Sequence, residues 1–389
     1  MADDAPARLY VSPIRTPEPA PETPSERLYV SPLKTAPDQP EVATLEVNGL
    51  KFEDWESVWV QKPLLSSAHK FRFTAAERDP AFRVPGVPSI SKLQFKPGDK
   101  CTITMAGQLA ITGVITDRQT MYDANQHVVT LSGESTSGPG ARSSVDTKTG
   151  SFDNKNIQQI AQEVCAPYGI GIKTVGQLDL TPFKRMHNEK GELVWDFLER
   201  LARVRTMFMG CDSQGNLLLI GKGSAKSVGD ELIEGYNIKA CSCLISHKNN
   251  FVDMDTAGHG PASDDHSGTA ASEMEGHAKS DVPNLPKSKI IIPLEQATMD
   301  HADPQKRADF EKIIRDGSTI QCTVLVQGWL RAGKTLWEPN ITVHIYSPMA
   351  MMNRQLFIEC VTFTQDSRNG TITQLDLSSR GGGVNVDPG

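Results

Sequence analysis

The chain has 389 residues, 38% of them hydrophobic, and its 40 Lys+Arg against 47 Asp+Glu leave a formal charge of −7. That length supports roughly two to four domains with real cores. The absence of a basic stripe argues against binding nucleic acid through its phosphates. No apolar run nears the ~20 residues of a spanning helix and no signal peptide opens the chain, so the expectation is a protein folded in a cytoplasm without a membrane partner.

Residues 1–44 read as a Pro-rich, disordered N-terminal tail holding nine of the 25 prolines. A nine-residue word occurs twice in it, "RLYVSPIRT" at Arg8–Thr16 and "RLYVSPLKT" at Arg27–Thr35. Linker drift would not preserve such a word, so the two copies read as docking peptides. In them Arg8, Leu9, Tyr10 and Val11, then Arg27, Leu28, Tyr29 and Val30, favour an extended strand that Pro13 and Pro32 end.

Residues 45–150 alternate in short strands, as in "KCTITMA" and "LAITGVITDRQTMYDANQHVVTLSGES", which points to a small barrel or sandwich. Residues 151–235 change period. Ile157, Ile160, Ala161, Val164 and Tyr168 share one helical face, with Asp153 or Asn154 placed to cap its start and Gly169 its end. Leu193, Phe197, Leu201 and Val204 repeat the device, and short strands follow each helix. This is a small α+β domain.

Residues 236–389 return to strands, interrupted by a Gly/Ser/Asp/His-rich stretch over 255–287, expected to be a flexible loop, and a polar helix near 304–316. "LFIECVTFTQDSRNGTITQLDLSS" faintly repeats the earlier "ITGVITDRQTMYDANQHVVTLSG", suggesting two similar β domains in one chain. Between them "GWLRAGKT", residues 328–335, matches the phosphate-loop pattern G-x-x-x-x-G-K-[ST]. A phosphate loop must open a helix, yet Pro339 and the alternation of "NITVHIYS" come next, so a β hairpin is expected and no nucleotide.

No catalytic, cofactor or metal site emerges. Glu295, Asp300, Asp303, Asp309 and Glu311 surround a polar helix whose N-terminus welcomes acidic residues. His187 with Glu189 and Glu192 lacks a third partner at a diagnostic spacing. The seven cysteines, at 101, 165, 211, 241, 243, 322 and 360, read as inert thiols.

The stretches quoted above, with "DNKNIQQIAQEVCAPYGIGI", "GELVWDFLERLARVRTMFMGCDSQGNLLLI" and "VQGWLRAGKTLWEPNITVHI", resemble the baseplate hub proteins of contractile phage tails, of the phage Mu type. The resemblance spans about 45 to 380, and its specificity lies in the number and order of the stretches. It implies an α+β, β-dominated chain with two tube-type β-barrel domains, 45–150 and 236–389, around the α+β insert. It makes Gly328, Trp329, Gly333, Leu336, Trp337, Pro339 and Asn340 a structural hairpin motif. It also implies a homotrimer joining the hexameric tail tube to the trimeric central spike. DNA would pass through without specific binding, and the protein would reside in the virion after assembly in the host cytoplasm. The N-terminal repeats, which the family does not generally carry, are expected to dock on hexameric baseplate or sheath components. A baseplate-associated peptidoglycan hydrolase and the hub of a headless contractile particle are the alternative readings.

Overall fold

In the computed structural model the described residues are 40–76, 93–123, 127–258, 274–294 and 303–379. The two RLYVSP words and most of the tail lie outside them, as do Glu295 and Asp300.

Period-two alternation builds the first half. Strands β1 (Ala43–Val47), β2 (Leu50–Phe52), β3 (Ser57–Pro63), β4 (Lys70–Ala76), β5 (Lys100–Met105), β6 (Gln108–Tyr122) and β7 (His127–Ser135) run in the order β2-β1-β5-β6-β7-β4-β3. Inward positions such as Val58, Val60, Phe71, Phe73 and Ile103 fill the core, as strands with one buried face require. Gly133 is fixed by space: a Cβ there would sit 2.3 Å from the Phe71 ring and from the Val114 carbonyl oxygen.

The α+β insert comes next, with α1 (Ser137–Ala141), β8 (Ser151–Lys155), α2 (Ile157–Cys165), β9 (Ile172–Val175), β10 (Phe183–His187), α3 (Val194–Val204), β11 (Phe208–Cys211) and β12 (Leu217–Ile220). Its own core joins Ile157, Ile160 and Val164 of α2 to Phe197 and Leu201 of α3. The cap of α2 is Asn156, not Asp153 or Asn154. Its side chain accepts from Gln159 N at 2.9 Å while the Gln159 side chain accepts from Asn156 N, a reciprocal box that a preceding strand residue cannot form. Gly169 ends the helical segment at φ 66°.

The second half comprises β13 (Lys226–Ile233), β14 (Ile238–Ile245), β18 (Ile320–Gln327), β21 (Ile341–Ser347), β22 (Met352–Asp366) and β23 (Gly370–Ser378). Between β14 and β18 the chain makes β15 (Asp253–Gly258), β16 (Met274–Lys279), β17 (Lys289–Pro293) and α4 (Asp303–Gly317), and between β18 and β21 the short β19 (Leu330–Arg331) and β20 (Thr335–Leu336). Two expectations need correction here. Residues 226–233 do not belong with the insert, because β13 pairs in parallel with β21. A register shift between Ser227 and Glu231 breaks the alternation that would have revealed the strand. The stretch 255–287 is not simply a loop either. β15 pairs β16 antiparallel and β17 parallel, with Met254, Ala278 and Ile292 as its buried apolar residues. So few apolar positions give no readable period.

The satellite sheet leans on α4, where Thr256 Oγ1 donates to the Pro304 carbonyl at 2.8 Å. Helix α4 in turn docks on the insert, through the buried Arg205–Asp303 pair and the Phe208–Phe310 ring contact at 4.9 Å.

The second half has the strand order β13-β21-β22-β23-β18-β14. Replacing β1, β5, β6, β7, β4 and β3 by β13, β21, β22, β23, β18 and β14 converts the first order into the second. The likeness extends to register. Val114↔Glu134, Ile115↔Gly133 and, past a bulge at Thr116, Asp117↔Ser132 are matched by Phe357↔Ser378, Ile358↔Leu377 and, past a bulge at Glu359, Cys360↔Asp376. A bulge re-aims a strand, so sharing one at the same rung gives both halves the same bend. One difference remains: β1 meets β5 antiparallel, whereas β13 meets β21 in parallel. In each half the two edge strands are consecutive in the chain, joined through 53–56 and 234–237, so each sheet curls back upon itself. Among the described residues no ladder closes either curl.

The halves are not separate bodies. The far part of β22 pairs with β3, from Cys360↔Pro63 to Asp366↔Ser57, so one 13-stranded sheet and one hydrophobic core run through both.

Candidate functional site at the hairpin joint

The residues around "GWLRAGKT" form a joint between the first half, the insert and the second half. Ala332 and Gly333 both have positive φ, 49° and 74°, the combination that turns a tight hairpin with the twist of its strands. Leu330 pairs with Leu336 and Arg331 with Thr335. The turn's amides are already used: Lys334 N donates to Arg331 O at 3.1 Å, Leu336 N to Gln108 Oε1 at 3.2 Å and Trp337 N to Trp329 O at 3.3 Å. No helix comes after it, so the aligned N–H groups of a helix N-terminus that would hold a phosphate are not there.

Each motif residue has a local task. Trp329 is fully buried, and its Nε1 donates to Thr364 O on β22 at 3.1 Å. Its backbone N and that of Leu330 donate to one Glu41 oxygen, at 2.6 and 3.1 Å. Gly328 has φ 82°, which favours glycine, and a Cβ there would come within 2.7 Å of the same carboxylate oxygen and displace it. Leu336 and Trp337 pack into the shared core. Asn340, at φ 65°, exchanges side-chain hydrogen bonds with Ser224 and donates its N–H to Ile358 O at 3.1 Å. Pro339 restricts Glu338 before it to extended backbone, ahead of the bend at 339–340 that leads into β21.

Charge ties the joint together. Lys62 occupies an inward position of β3 after Val58 and Val60, and its side chain is completely buried. Its Nζ reaches the two Glu338 oxygens at 2.6 and 2.5 Å and Ser213 Oγ at 2.9 Å, linking the first half, the hairpin segment and the insert. Arg331 adds an ion pair with Asp230 of β13 at 2.6 Å. An apolar seam of Leu64, Ile220 and Phe357 draws one residue from each of the three parts.

Beside Lys62 lies His69, 1% exposed, with neither ring nitrogen hydrogen-bonded among the described residues. Burial, reinforced by the Lys62 ammonium, pulls its pKa down to about 3. Burial pushes the neighbouring Cys211 thiol up to about 12. A neutral imidazole beside a protonated thiol is no nucleophilic pair at neutral pH.

The remaining candidates are structural too. Asp303 is buried against Arg205, and Asp309 accepts from Gln305. Burial alone would raise the Glu311 pKa, but Arg307 and Arg315 hold it lowered, the reverse of a glycosidase acid. Glu192 is bridged to Arg200 and accepts from Glu189 N. Burial also raises the thiols of Cys101 and Cys165 to about 12 and that of Cys360 to about 11. Among the described residues no His/Cys/Asp/Glu group could hold a metal, and no helix is long and apolar enough to cross a membrane. Sequence reasoning named the hairpin but missed Lys62, Glu338, Glu41 and Gln108. A lysine at the inward rung of "SVWVQKP" was the one signal on offer.

Comparison with known proteins agrees with a structural role. Residues 42–135 match the family described as Mu phage baseplate assembly protein GpP-like, N-terminal, and residues 141–221 match baseplate hub protein gp44-like, second domain. The chain is 26% identical over 346 residues to the baseplate hub protein gp44 of Escherichia phage Mu, covering 87% of this chain and 88% of that one. The 43 kDa tail protein of prophage MuSo2 from Shewanella oneidensis superposes with a TM-score of 0.74 at 23% identity, covering 87% of this chain and 98% of that one. A tail protein from Neisseria meningitidis MC58 gives 0.72 at 18% identity, covering 88% and 98%. These relatives are baseplate and tail proteins, not enzymes.

The joint makes two outcomes testable. Glu338→Ala strands a buried ammonium, whereas Lys62→Met leaves only a carboxylate that is 40% exposed. Urea denaturation should therefore show a loss on the order of 3 kcal/mol for Glu338→Ala and clearly less for Lys62→Met. His69 binds a proton in the unfolded chain below about pH 6.5 but not in the folded one until about pH 3, so its contribution to stability falls as pH drops through that window. Between pH 7 and pH 5 the native protein should lose about 2 kcal/mol more than a His69→Leu variant, measured by the same titration at both pH values.

Proposed function

We propose that this chain, similar to the phage Mu baseplate hub protein over 87% of its length, acts as a trimeric ring seated between the hexameric tail tube and the trimeric central spike. The observation that carries this reading is the duplicated strand order and bulge register within one chain. Two like halves in each of three subunits give six quasi-equivalent units, so one ring can meet a sixfold partner on one face and a threefold partner on the other. Each half is read as a tube-type barrel, the insert as a separate α+β domain, and the hairpin joint as the brace that keeps the halves in fixed relation under load.

The work is mechanical. A hub holds tube and spike together until contraction and then lets the genome through. The charge of −7 suits a conduit wall that does not retain DNA by counterion release. The protein would assemble in the host cytoplasm and end in the virion tail. The two RLYVSP words supply six tethered strands per trimer for a hexameric baseplate or sheath component, each able to join an exposed sheet edge.

The mass of the purified protein in solution tests the ring. A trimer is expected, and a monomer or dimer at high concentration with the spike protein present overturns it. Deleting residues 1–39, which spares Glu41 and β1, should leave trimerisation intact while weakening baseplate attachment, and unimpaired assembly would reduce that segment to a linker.

A further inference from the structure

The internal repeat specifies more than a subunit number, because one half is joined at a place where its copy is bare. In β22 the near part pairs with β21 and the far part, Cys360–Asp366, pairs with β3. The matching strand β6 pairs with β5 through its near part, but among the described residues no second strand lies beside Gln119–Tyr122. Conversely β14, the counterpart of β3, pairs with β18 and ends the sheet. Among the described residues the chain thus carries one completed joint and the two unmated sides of a second.

Burial tells the same story. In the completed joint Val361, Thr362 and Phe363 are buried, as are Val58, Val60 and Lys62 opposite them. In the open sides Gln119, Thr120, Met121 and Tyr122 are exposed, and so are Ala240, Cys241, Ser242, Leu244 and Ile245. Met121 and Tyr122 are 54% and 77% exposed, Leu244 and Ile245 57% and 45%. Strand β14 has eight residues, IKACSCLI, without a proline and with Lys239 as its one charge. Its protection is confined to its start, where a bulge falls at Lys239; from Ala240 to Ile245 it has no proline, bulge or charge of the kind that blunts an unpaired edge.

We infer that β14 of one subunit pairs antiparallel with the far part of β6 of a second copy of this chain, repeating between subunits the β3–β22 joint within each. The register transfers rung by rung. The ladders make Gln119 and Thr120 the counterparts of Thr362 and Phe363, and Leu244 and Cys243 the counterparts of Gln61 and Val60. Since Thr362 faces Gln61 and Phe363 faces Val60, Gln119 faces Leu244 of the next subunit and Thr120 its Cys243. Met121 then faces Ser242 and Tyr122 faces Cys241. The contact is head-to-tail, so it closes into a ring or propagates as a filament. That three copies close it rests on the proposed hub function. The strand pairing itself rests on the internal joint.

Disulfide trapping tests the register. In a Cys241→Ala/Cys243→Ala background, Gln119→Cys with Leu244→Cys should give a covalent ladder under mild oxidation by copper-phenanthroline, ending at a closed trimer. Gln119→Cys with Lys239→Cys, out of register, should cross-link at least about tenfold less, because a disulfide tolerates Cα separations only up to about 7 Å. A separate Leu244→Lys variant, altered at an exposed position, should keep its melting temperature and lose self-association, since lysine on an edge opposes pairing. A trimer under reducing conditions without specific 119–244 cross-linking, or one indifferent to Leu244→Lys, overturns the pairing and leaves the ring standing. A monomer at every concentration overturns both.

Discussion

Pairing of Ser57–Pro63 with Cys360–Asp366 is the constraint on which the rest of the structure depends. Those strands are about three hundred residues apart, so closing the loop between them has a large entropic cost that local structure does not offset. The offset comes from the contacts that the pairing assembles. It merges two sheets into one core and brings Leu64, Ile220 and Phe357 into an apolar seam. It also places Lys62 where Glu338 and Ser213 can satisfy it. A buried ammonium is costly alone and contributes little net stability even when paired. Its value here is selection: only the arrangement that brings Glu338 and Ser213 together leaves it satisfied.

The hairpin at 328–340 works in the same sense. Its glycines, its positive-φ alanine and its proline shape a local turn, yet nearly every polar contact it makes goes to a distant segment: Glu41 before β1, Gln108 on β6, Ser224 after the insert, Thr364 on β22. A pattern that spells a phosphate loop is therefore a bracket. The amides of Trp329, Leu330 and Leu336 hold distant segments, and the difference from a phosphate loop lies in the segment beyond Thr335, which is strand in place of helix.

Duplication with divergence explains how one chain can present two kinds of surface. The halves share strand order and a bulge at the same rung, which preserves curvature and spacing. Their flanks differ. A joint between the halves of one chain is covalently guaranteed a partner, so it can bury a charged side chain such as Lys62. An edge that meets a partner only on assembly must survive exposure first, and Cys241, Ser242 and Cys243 of β14 are milder than Val58, Trp59 and Val60 at the equivalent rungs of β3.

Periodicity and turn chemistry alone determined the strand-rich halves, helices α2 and α3, the hairpin in place of a nucleotide loop, and the faint repeat of β6–β7 in β22–β23. Each of these is local: a residue's face, its φ and its next few neighbours are written in the nearby sequence. The tertiary structure decided the β3–β22 joint, the partner of Lys62, the membership of β13 in the second half and the existence of the β15–β17 sheet. Alternation says which way a side chain points and never which strand lies beside it. Strands β13, β15 and β16 alternate in burial, but Asp230, Thr256 and Gly276 stand at inward rungs, so no apolar period shows in the sequence. Their places are fixed by partners far along the chain, and only the folded structure brings those partners within hydrogen-bonding distance.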